Sequence, residues 1–69
     1  MMHMETLSET IDRMLAERKM KKLFPFHITL VDLKNERTKI DEEELKRLYN
    51  DGDVDIIRIL NGFAIEKRV

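Results

Sequence analysis

An α+β fold, three helices followed by a C-terminal β-hairpin, is predicted by three observations. From Thr6 onward, Leu7, Ile11, Met14 and Leu15 recur at helical spacing. Ile28-Thr29-x-x-Asp32-Leu33-Lys34 and Ile40-Asp41-x-x-Glu44-Leu45-Lys46 then repeat one helix-start grammar, a capping oxygen with an acid three residues on and apolar residues placed as a staple. Finally, Asn61-Gly62 separates the runs Val54 to Leu60 and Phe63 to Val69, the strongest short-range signal of a hairpin.

In the first helix, Thr6 and Glu9 have the form of a capping box, each side chain satisfying the other's amide. Glu9, Asp12, Arg13, Glu17 and Lys19 occupy the polar face, and Met20 would extend the apolar stripe of a helix of about four turns. Basic residues gather at its end, where the helix dipole favours them, and Pro25 acts as a stop. Residues 26–33 carry the β-branched and aromatic content of a strand, but Thr29 and Asp32 are spaced as a cap, which favours a short second helix. Asn35 to Lys39 would turn into a third helix capped by Asp41 and Glu44, with Leu45, Leu48 and Tyr49 inward. Gly52 would close that helix in the left-handed conformation. A type I′ turn at Asn61-Gly62 pairs Leu60 with Phe63, Arg58 with Ile65, Ile56 with Lys67 and Val54 with Val69 on one face. The other face then pairs Ile59 with Ala64, Ile57 with Glu66 and Asp55 with Arg68. Val54, Ile56, Leu60, Phe63 and Ile65 are expected against the helices, leaving Ile57 and Ile59 partly uncovered.

A chain of 69 residues forms one domain, which buries only about 60% of its unfolded surface. Met1 to Glu5 are read as a mobile approach to a single domain at 6–69. Cysteine is absent and there are two histidines, so packing or self-association must supply stability that disulfides or zinc give other small proteins. No apolar stretch approaches the ~18 residues of a membrane span, and the opening segment lacks a signal-peptide core. A cytoplasmic protein with no membrane partner is expected. The net charge of −1 is unevenly spread: residues 1–39 carry eight Lys or Arg against six acids, and residues 40–69 five against eight. Acids interleave the basic residues of the first helix, which disfavours its lying on a membrane. The Arg18 to Lys22 cluster reads first as a solvated helix end, although Phe24 and Phe26 beside it are residues on which bases stack.

No paired acid and base, glycine-rich phosphate loop or nucleophile constellation is present, so catalysis is not expected. His27, between Phe26 and Ile28, reads as a partly buried histidine with a backbone partner. Asp51-Gly52-Asp53-Val54-Asp55 alternates like a calcium loop but lacks its final glutamate. The acidic Asp41 to Glu44 run suits a helix cap and first turn. Met1-Met2-His3 would offer Cu(II) or Ni(II) a square of nitrogens, a chance pattern at a terminus. No metal, cofactor or small-molecule substrate is expected.

The order helix, short helix, turn, helix, glycine and hairpin resembles a minimal winged helix-turn-helix domain, and its most specific portion is Asp41-x-x-x-Leu45-x-x-Leu48-Tyr49-x-x-Gly52-x-Val54. The resemblance implies a winged-helix-like fold and a DNA-associated regulator or accessory protein, with the third helix as the reader of double-stranded DNA. It also implies phosphate contacts from Arg37, Lys39, Lys46, Arg47, Lys67 and Arg68. Four carboxylates at the start of that helix depart from this pattern, because a duplex repels them. The alternative is a protein-interaction module, forming a homodimer or binding another protein through Ile57 and Ile59 or the free hairpin edge.

Overall fold

The computed structural model describes residues 5–37 and 39–68. Three helices, α1 (Leu7–Met20), α2 (Leu30–Glu36) and α3 (Glu42–Asn50), are joined with the strands β1 (Ile28–Thr29), β2 (Val54–Ile59) and β3 (Gly62–Lys67). The expected three helices and C-terminal hairpin are all present. The strands form one antiparallel sheet in the order β1-β3-β2, so the second arm of the hairpin is central.

Local chemistry accounts for the helix boundaries. Thr6 accepts from the Glu9 amide at 3.1 Å while Glu9 accepts from the Thr6 amide at 2.9 Å, which is the expected capping box. At the other end of α1, the Leu23 amide bonds Arg18 O at 2.9 Å and the Lys22 amide bonds Lys19 O at 3.1 Å. These are the two bonds of a Schellman turn, and Lys22 occupies its left-handed position at φ 54. The same turn ends α3: Asp53 bonds Leu48 O at 3.0 Å, Gly52 bonds Tyr49 O at 3.2 Å, and Gly52 has φ 83.

The ambiguous middle segment takes both forms in succession. Ile28 and Thr29 pair with Ile65 and Ala64 of β3. Thr29, still extended, then caps α2 through a reciprocal box with Asp32, at 3.0 and 3.1 Å. One residue thus ends a strand and starts a helix, because a cap needs β-region backbone before the first helical turn.

Several local expectations are corrected. Asp41 caps α3 by accepting from Glu43, at 3.0 Å, instead of forming a box with Glu44. The hairpin turns at Leu60-Asn61, so Ile59 faces Gly62, Arg58 faces Phe63, Ile56 faces Ile65 and Val54 faces Lys67. Positive φ falls only on Gly62 here, at 140, whereas a type I′ turn requires it at both central residues. The displacement of two residues leaves every side chain on its expected face, since strand side chains alternate with period two. Leu60 nevertheless moves from core to turn and is 98% exposed. Phe63, Tyr49 and Met20 are also exposed instead of inward. The proposed partner of Val54, Val69, lies outside the described residues.

The core draws Leu7, Ile11, Met14 and Leu15 from α1, Ile28 from β1, Leu33 from α2, Val54 from β2 and Ile65 from β3. Ala64 is buried as well, flanked across the central strand by Thr29 and Ile57. α3 contributes no fully buried residue; its Leu45 and Leu48 pack against this cluster at half burial, as do Leu30 and Ile40.

Candidate interaction surfaces

The six cations expected at phosphate divide into two groups. Arg37 is half-buried, and its Nη1 donates to Glu5 O at 2.7 Å and to Thr10 Oγ1 at 3.0 Å. This clamp fastens the end of α2 to the start of α1. Lys67 Nζ meets Asp12 Oδ1 at 2.9 Å. Arg68 Nε donates to Asp55 Oδ1 at 2.9 Å, with Nη2 on the same oxygen, and the guanidinium lies 5.4 Å from the Tyr49 ring centroid. The Asp55 to Arg68 contact survives the corrected register because it runs diagonally across the strands. The Asp55 carboxylate, first through this hydrogen bond, pushes the Arg68 guanidinium pKa up. Lys39, Lys46 and Arg47 are exposed and make no ion pair among the described residues.

Around the same clamp lies a network in which only Arg13 and Glu17, four apart on α1, have a spacing that signals a pair. Arg13 pairs with Glu5 at 2.9 Å, with Glu17 at 3.3 Å and with Glu36 at 3.3 Å. The hydrogen bond from Arg13 is the main cause holding the Glu5 carboxyl below its ordinary pKa, and the Glu5 and Glu36 carboxylates raise that of Arg13. Thr10, almost wholly buried, donates from Oγ1 to Thr6 O at 3.1 Å and accepts from Arg37. Glu5, Glu36 and Arg37 reach their partners across 8, 23 and 32 residues of chain, so there only the fold brings the groups together.

The apolar surfaces are more extensive than Ile57 and Ile59. Those two sit on the outward face of β2; Ile57 is 39% exposed and Ile59 is half-buried. On the helix side, a groove of about 270 Å³ opens between α2, α3 and the hairpin, lined by Leu30, Ile40, Leu45, Ile56, Phe63 and Ile65. Exposed Lys34, Glu42 and Lys46 border it. A second depression of about 290 Å³ shares Leu30, Lys34 and Phe63 and continues past Val31 and Ile59 to the hairpin turn. Val31 is 62% exposed, so a strip of apolar side chains runs from α3 to the tip that carries Leu60. The sequence signal was available in the alternation of β2 and β3, but assigning the apolar face to the core hid how little of it α3 covers.

His27 is half-buried, with its backbone amide on Pro25 O at 2.8 Å. Among the described residues, no three His, Cys, Asp or Glu side chains converge as metal ligands, and no helix is long and apolar enough to cross a membrane. The Met1-Met2-His3 pattern lies outside the described residues. Comparison with protein-family models, with curated proteins and with solved structures gave no match.

Proposed function

We propose that this chain is a non-enzymatic, winged-helix-like module that works by protein association through the face between α2, α3 and the hairpin. The observation that carries the reading is the open apolar groove continuing to exposed Val31, Phe63 and Leu60. Contiguous apolar surface of this kind is costly to leave in water, and it marks association sites in small proteins. A second copy is the occupant best matched to it. Leu60 is an exposed apolar knob beside an apolar groove, so a two-fold pairing can seat each knob on the other copy's groove. Lys34 and Lys46 with Glu42 at the border supply both signs of charge for that self-complementary contact. Sedimentation equilibrium tests it: a concentration-dependent dimer is expected, and Leu60→Asp with Phe63→Ser should yield a folded monomer. A wild-type monomer at every attainable concentration would overturn self-association.

A DNA-associated role is the second reading, favoured by Lys39, Lys46 and Arg47 on and before α3, which are exposed and make no ion pair among the described residues. The acids Glu42 and Glu43, exposed on the same helix, and the internal pairing of Arg37, Lys67 and Arg68 weigh against it. Duplex anisotropy at low and near-physiological salt separates the two readings, because phosphate contacts weaken steeply with salt and apolar burial does not. Lys46→Glu with Arg47→Glu should abolish binding if the second reading holds. A cytoplasmic home, in keeping with the absence of cysteine, accommodates either.

A further inference from the structure

The groove does not involve the end of α1, where a different surface is built. Residues 19–25 are all exposed, and within them Met20 is 84%, Phe24 76% and Leu23 47% open to water. Arg18, Lys19, Lys21 and Lys22 neighbour these apolar residues in the chain, so four positive charges fall within five consecutive positions. The chain here is closed into a knuckle. Besides the Schellman bonds, Arg18 Nε donates to Pro25 O at 3.1 Å, and Phe24 stacks on Phe26 with ring centroids 4.2 Å apart.

The acids nearest this knuckle have duties elsewhere. Glu17 and Glu36 bind Arg13, and Asp32 caps α2. Glu17, Asp32 and Glu36 line the cleft between α1 and α2, together with Arg18, Lys21 and Leu23. Lys19, Lys21 and Lys22 make no ion pair among the described residues. Residues 18–24 themselves carry no acid, so the interleaving that disfavours a membrane contact when the helix is read end to end does not extend into this run.

We infer that the knuckle at residues 18–24 is a docking site for an anionic lipid surface. Lysines and an arginine neutralise the headgroup charge while Met20, Leu23 and Phe24 enter the boundary between headgroups and acyl chains. Three large apolar residues exposed among cations distinguish this from a polyanion site. A single-stranded nucleic acid would use aromatic faces, and one face of Phe24 is already taken by Phe26. The closed backbone presents the side chains without further folding, so contact costs little ordering.

The test is partition of the intact protein onto vesicles of phosphatidylcholine alone and of phosphatidylcholine mixed with phosphatidylserine, with circular dichroism confirming that each variant is folded. Binding only to the anionic vesicles, falling as salt rises, is expected. At about 1 kcal/mol per basic residue near such a surface, Lys21→Glu with Lys22→Glu should weaken partition by at least ~30-fold. Met20→Ser with Phe24→Ser should also weaken it while leaving any binding to heparin unchanged. Leu60→Asp with Phe63→Ser, which addresses the groove, should leave vesicle binding intact. No partition onto anionic vesicles, or equal partition by the Met20→Ser, Phe24→Ser variant, would overturn the assignment; the latter result would identify a general polyanion patch instead.

Discussion

Helices α1 and α3 both begin at a capping oxygen and end in a Schellman turn, yet α1 buries Leu7, Thr10, Ile11, Met14 and Leu15, whereas α3 buries no side chain fully. Local grammar therefore set where each helix starts and stops but not how much of it the fold covers. α1 is locked to the sheet and to α2 by apolar contact and by the Arg13 and Arg37 clamps. α3 rests on the core through Leu45 and Leu48 and leaves its remaining apolar surface at the groove. A helix held this way is where a small protein has area to spend on a partner.

The heaviest losses of stability belong to the core. Ile11→Ala should lower the unfolding free energy by about 2–5 kcal/mol, enough to unfold much of the population of so small a domain. Leu45→Ala should cost less than half of that in urea denaturation, because its site is already partly open to water. Equal losses would show that α3 belongs to the core and that the groove is a packing defect. Next come the two helix ends. Gly52 at φ 83 and Lys22 at φ 54 hold equivalent positions, and a side chain in the left-handed region costs about 1–2 kcal/mol. Gly52→Ala should destabilise by about 1 kcal/mol, the added Cβ also meeting Arg68 Nη1 at 3.4 Å. Lys22→Gly should stabilise by about 1 kcal/mol, raising Tm by about 4–8 °C. It should also reduce anionic vesicle binding about fivefold. If Lys22→Gly destabilises, the left-handed backbone at Lys22 is not a source of strain.

What could be read from the chain and what could not follow the same division. Thr6 with Glu9, Thr29 with Asp32, and Gly52 were legible because caps and turns act over three to five residues, where the chain itself sets the distance. β1 was half legible: the strand character of Ile28 and the cap character of Thr29 were both visible, but pairing with Ile65 requires a strand 37 residues away. The hairpin register slipped because Asn61-Gly62 matches the favoured type I′ pair, whereas the chain turns at Leu60-Asn61 and takes Gly62, at φ 140, into β3. Arg37 illustrates the hardest case. As a cation in a connecting segment it suggested a phosphate contact, and nothing in its neighbours announced the carbonyl of Glu5 as its partner.

A milder, pH-dependent effect belongs to the start of α1. Glu5 has its carboxyl pKa lowered from 4.5, first by the hydrogen bond from Arg13. A depressed carboxylate contributes stability that is fully present above its unfolded value and is lost as pH falls through the lower folded value. Unfolding midpoints should therefore decline as pH drops below about 4.5, while Arg13 remains charged throughout. Glu5→Gln should reduce that decline and slightly lower stability at neutral pH, since an exposed ion pair contributes little. Arg13→Gln should have the larger neutral-pH effect, because it releases Glu5, Glu17 and Glu36 together. Chemical denaturation of the three proteins across the acid range checks both points. An undiminished acid slope in Glu5→Gln would move the acid-sensitive contact away from α1, and would leave the Arg37 bond to the Glu5 backbone as what ties this end of the helix to α2.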